Sequence, residues 1–147
     1  MSASHSPQND IRRARRARAR GQVLLKKGSL DESFKERMEA DCYLERARVA
    51  GELAAKQTPR LIPSVHEDPI QQIQLEIITR GDPYGFEIQA QVTTFTNQGG
   101  DMAALTAVST AALTLYNMMQ SRERSLEITG IHLLESARDP RQTFRKV

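Results

Sequence analysis

Arg16-Ala17-Arg18-Ala19-Arg20 supports two opposite readings, and the fold turns on which is taken. As an extended chain this stretch puts alanines on one side and arginines on the other. Yet arginine and alanine are both good helix formers, so intrinsic propensity gives helix a slight advantage when the stretch is read alone. If it is a strand, it ends near Leu25 and leads a β-α-β-β-α-β order.

Downstream, Ser29-Leu30-Asp31-Glu32 has the Ser-x-x-Glu form of a capping box, which predicts a short helix over 30–39. Leu44, Ala47, Gly51 and Ala54 recur at helical spacing until Pro59, giving a second helix with a small-residue face that another element can approach closely. Ile73, Leu75 and Ile77 then alternate with polar residues, Gly81-Asp82-Pro83-Tyr84-Gly85 turns the chain, and Phe86, Ile88, Ala90, Val92 and Thr94 alternate again. These two runs read as a hairpin with about ten residues per arm. A helix follows over 101–120, and 126–134 supplies a last strand with Gly130 as a bulge. With the first element extended, the order predicts an α+β, ferredoxin-like fold, an antiparallel sheet with helices packed on one face. The helix over 102–115 has so little polar surface that it is expected to pack on the sheet and also against another subunit.

A chain of 147 residues, 39% of them hydrophobic, suits one domain. The expected organisation is a disordered tail over 1–10, a domain over 11–135 and a basic tail over 136–147. Thr106, Ser109, Thr110 and Thr114 interrupt the longest apolar run, 102–115, so no membrane span is expected. The single cysteine, Cys42, has no internal disulfide partner, and the polar N-terminus lacks a signal-like apolar core, which favours the cytoplasm. The formal charge is +3, but Arg12, Arg13, Arg15, Arg16, Arg18 and Arg20 crowd together, and that field suits the phosphates of either a small molecule or a nucleic acid. With no tryptophan and no aromatic residues among the arginines, nucleic-acid binding is the weaker alternative.

Ala47-Arg48-Val49-Ala50-Gly51, Ala54-Ala55-Lys56, Leu61-Ile62-Pro63 with His66 after it, and Ala104-Leu105-Thr106-Ala107-Val108-Ser109 through Tyr116 together resemble the molybdenum-cofactor biosynthesis protein C family. The resemblance runs over about 12–134 without an internal gap, and its strength lies in the order and spacing of the strings. It implies a ferredoxin-like subunit, extended at its first element, in a hexamer built from dimers, with active sites at subunit interfaces. It also implies a lyase, the cyclic pyranopterin monophosphate synthase, which rearranges a cyclised purine nucleotide triphosphate and releases pyrophosphate. No protein-bound cofactor or metal is implied.

Set against the family pattern, His66 survives between altered neighbours, as Ser64-Val65-His66-Glu67. The family's Glu-Met-Glu is Asp101-Met102-Ala103 here, and its Tyr-Asp-Met-Cys-Lys is Tyr116-Asn117-Met118-Met119-Gln120. The family's Lys-Gly-Asp is Ala40-Asp41-Cys42, and its Lys-Ser-Gly-Gly-Lys tail is Ser136-Ala137-Arg138-Asp139-Pro140. Asparagine and glutamine neither titrate near neutral pH nor carry charge. The resemblance therefore leaves His66 and Asp101 as catalytic candidates and Arg15, Arg18, Lys56 and Met102 as ligand-binding candidates, with Asn117 and Gln120 inactive. Asp101 also reads as an N-cap. The expected ligand is a phosphorylated nucleotide or pterin. The expectation is a divergent member whose synthase chemistry is lost or altered; the alternatives are a working synthase using Glu67, Asp68 or a neighbour's arginines, and a regulatory or scaffolding subunit.

Overall fold

The computed structural model describes residues 14–63, 65, 70–95 and 100–138. Strand β1 (Arg15–Leu24) is followed by helices α1 (Glu32–Ala40), α2 (Tyr43–Lys56) and the short α3 (Thr58–Leu61). Strands β2 (Ile70–Gly81) and β3 (Tyr84–Thr94) form the hairpin, and helix α4 (Gly100–Met119) leads to β4 (Glu127–Glu135). The sheet order is β2-β3-β1-β4 with every neighbouring pair antiparallel, which is the ferredoxin-like arrangement.

The opening stretch is a strand, against its own helix propensity, because tertiary pairing overrides it. β1 is central and hydrogen-bonded on both edges, to β3 and β4, and its alanines Ala17 and Ala19 are fully buried under the helices. The same side of the sheet carries Val23, Phe86, Ile88, Ala90 and Val92 into the core. Small residues let the layers close. A Cβ at Gly51 of α2 would stand 2.5 Å from Leu75 Cδ1 and 2.8 Å from the Ala107 carbonyl oxygen of α4, so only glycine permits this approach. By length and composition α4 is apolar enough to cross a bilayer, but Ala104, Ala107, Val108, Ala111, Ala112 and Leu115 are buried in the core, as expected of a core helix.

Three local expectations change. Helix α1 is capped by Asp31, whose carboxylate accepts from the Phe34 amide at 2.8 Å, instead of by a Ser29 capping box. Asp31 lies next to the first helical residue and reaches the third helical amide, the usual geometry of an N-cap carboxylate. Asp101 is inside α4 and does not cap it. Packed chain also continues beyond 135, since Ser136 and Ala137 are buried. The bulge does form at Gly130 (φ +69°): two residues of β4 intervene between the partners of Arg20 and Gln22, where β1 has only Gly21.

Candidate functional site

The helices bring the candidate residues to two opposite ends of the sheet. At one end, Arg15 pairs in register with Thr94 and Thr94 with Ile70, and a Cβ at Gly100 would lie 3.7 Å from Ala17 Cβ. Asp101 and Met102 therefore start α4 beside the first residues of β1. Lys56, exposed, closes α2 near this end, because α2 begins with Tyr43 beside Tyr84 and the hairpin turn at the far end. Residues 66–69 and 96–99 are outside the described residues, and His66 is among them. Asp101 is already engaged: Ser136 Oγ donates to it at 2.5 Å and the Ala137 amide at 2.6 Å. Ala103 is only 3% exposed, so that position looks into the core.

At the other end, Asn117 lies in the last turn of α4 and Gln120 directly follows it, both exposed, and Gln120 Nε2 donates to Asn117 Oδ1 at 3.1 Å. Sixteen residues of helix, about 24 Å at 1.5 Å per residue, separate Asn117 from Asp101. Ala40 ends α1, next to a cavity of about 600 Å³ lined by Leu30, Met38, Tyr43, Tyr84 and Phe86, with Cys42 at its rim in a left-handed conformation (φ 54°). Within one protomer the two groups of candidates do not meet.

Arg15 and Arg18 do not meet either. Being three residues apart on a strand, they project to opposite faces, Arg15 with Ala17 on the helix side and Arg18 on the open side. The open face has its own charge network, which sequence reasoning missed. Glu87, with its side chain 4% exposed, takes Arg20 Nη2 at 2.9 Å, Arg80 Nε at 3.1 Å and Gln89 Nε2 at 2.6 Å. Burial pushes its carboxyl upward, but the hydrogen bonds from Arg20, Gln89 and Arg80 outweigh this and hold it down at about 2. Arg16 pairs with Glu135 at 3.1 Å. The arginine run is thus partly neutralised inside the fold, which weakens it as a phosphate track. The signal was the shared parity of 16, 18 and 20, which a strand places together. Among the described residues, no three histidine, cysteine, aspartate or glutamate side chains converge to hold a metal ion.

A family model described as the MoaC family matches residues 8–138. The chain is 39% identical over 128 residues to the cyclic pyranopterin monophosphate synthase of Thermomicrobium roseum, spanning 87% of this chain and 77% of that one. It is 40% identical over 129 residues to the protein of the same name from Trichodesmium erythraeum, with 86% and 76% covered. To that of Cereibacter sphaeroides strain ATH 2.4.9 it is 42% identical over 121 residues, with 82% and 76% covered.

Proposed function

This chain belongs to the MoaC family, and on that premise we propose that it serves molybdenum cofactor biosynthesis by binding a phosphorylated purine or pterin, with the family's synthase chemistry lost or altered. The observation that supports this most is the Asn117–Gln120 pair. Where the family pattern has a carboxylate and an ammonium, this helix end holds two neutral amides bonded to each other, with Ala40 replacing a further lysine. None of the three can donate or take a proton near neutral pH. At the other helix end, Arg15 and Lys56 supply cations for phosphates, Met102 an apolar contact and Asp101 a titratable group; His66 is the other titratable candidate of the sequence. The protein works as a cytoplasmic homo-oligomer, in which the two ends of α4 from different copies meet.

The test is incubation of purified protein with the cyclised purine nucleotide triphosphate. Binding is expected by calorimetry, without pyranopterin product or pyrophosphate; robust turnover overturns the reading. Identity near 40% to proteins named synthases favours a second reading, an active synthase with substitute groups. Under it, His66→Ala abolishes a product that the unaltered protein forms.

A further inference from the structure

Asp101 lays the chain that follows β4 against the start of α4. Ser136 Oγ donates to Oδ2 of its carboxylate at 2.5 Å and the Ala137 amide to Oδ1 at 2.6 Å. Ser136 Oγ in turn accepts from the Arg138 amide at 3.1 Å. One carboxylate thus fixes three successive residues, the last of them through a single hydroxyl. Ser136 and Ala137 are buried, so the first exposed side chain of the segment is the guanidinium of Arg138.

The segment reaches the place where β1 begins. A Cβ at Gly100 would lie 3.2 Å from Ala137 Cβ and 3.7 Å from Ala17 Cβ, and Arg15 shares the helix side of β1 with Ala17, two residues nearer the strand's start. Lys56 closes α2 near this end. Among the described residues none of these three cations has an ion-pair partner, and the anions nearby are already committed. Glu135 is taken by Arg16, Glu52 by Arg48, and both oxygens of Asp101 by uncharged donors.

We propose that Arg138 is a further phosphate contact of this site, and that Asp101 is a positioning residue that sets it beside Arg15. The inference rests on the phosphorylated ligand proposed above and names residues that hold its phosphates. In the family string this position is a glycine, so the pattern assigns Arg138 no role. A guanidinium offers paired donors to phosphate oxygens, and two of them at one end of the sheet suit the adjoining phosphates of a di- or triphosphate. The charge of Asp101 by itself opposes an anion. Loss of affinity on its removal therefore reports the lost fastening, since the change of charge alone acts in the other direction.

The experiment is calorimetry of the full chain with inorganic tripolyphosphate and with the cyclised purine nucleotide triphosphate, each variant being checked for fold by circular dichroism. Arg138→Gln is expected to weaken both about fivefold or more, Arg138→Lys to recover part of the loss, and the weakening to shrink as salt rises. Asp101→Ala is expected to weaken both as well. Asp101→Asn should recover most of that affinity, because its amide still accepts from Ala137 and donates to Ser136 Oγ. Should Asp101→Ala fail to fold, Ser136→Ala, which removes the acceptor of the Arg138 amide, replaces it and is expected to weaken binding in the same direction. Unchanged affinity in Arg138→Gln overturns the proposal while leaving the phosphorylated ligand standing. Tighter binding in both Asp101 variants shows a charge effect and overturns the positioning role. An unaltered chain that binds neither probe overturns both this inference and the reading beneath it.

Discussion

The carboxylate of Asp101 holds Ser136 by a hydrogen bond of 2.5 Å, fastening the chain after β4 to the first turn of α4. The Ala137 amide adds a second donor at 2.6 Å. Since Ala137 is buried, Asp101→Ala leaves its amide without this acceptor, and a loss of about 2 kcal/mol is expected. Thermal unfolding checks the loss, and amide exchange at Ala137 should accelerate. If Asp101 acts only as this clasp, Asp101→Asn retains nucleotide affinity in calorimetry.

Glu87 makes the protein sensitive to acid. Its folded carboxyl sits at about 2 against an ordinary 4.5, so its contribution is complete above pH 4.5 and is lost as pH falls towards 2. Glu87→Gln leaves Arg20 and Arg80 without their carboxylate and should cost about 2 kcal/mol near neutral pH, allowing for the exposure of Arg80. The difference between variant and unaltered protein in urea unfolding should narrow steadily below pH 4.5. An unchanged gap at pH 2.5 contradicts this assignment.

Gly51→Ala sets two effects against each other. Alanine improves helix propensity by about 1 kcal/mol. Its methyl group, however, would sit 2.8 Å from the Ala107 carbonyl oxygen, a backbone atom with little room to move, and 2.5 Å from Leu75 Cδ1. Overpacking of this kind costs about 1–3 kcal/mol, so the substitution is expected to lower the melting temperature despite the better propensity.

Restoring the family's charges tests the proposed loss of chemistry from the other direction. Asn117→Asp, Gln120→Lys and Ala40→Lys should each give no product alone, because the groups act as a unit. The triple variant is expected to release measurable pyrophosphate from the cyclised nucleotide. Activity in the unaltered chain, or in any single variant at the level of the triple, contradicts the proposal.

Elements with one dominant period were legible from the residues. The hairpin arms alternate cleanly, and α4 is a long apolar run whose length rules out one strand. β1 was not, since Arg and Ala favour helix and only its partners on both edges make it extended. At the candidate site the sequence identified residue types but not their grouping. Asp101 and Asn117 are close in the chain and far apart in space because a straight helix separates them. The opposite faces of Arg15 and Arg18 follow from parity once β1 is known to be a strand. The engagement of Asp101 depends on where the chain runs after β4, and no local pattern encodes that.

The two sides of β1 answer to different neighbours. Enlarging position 17, 19 or 21 presses on a helix: a Cβ at Gly21 would already lie 2.7 Å from Val108 Cγ1. Positions 16, 18 and 20 look away from that layer. Substitutions on that side are therefore judged by the ion pairs of Arg16 with Glu135 and Arg20 with Glu87, while the residues between them remain tied to the interior.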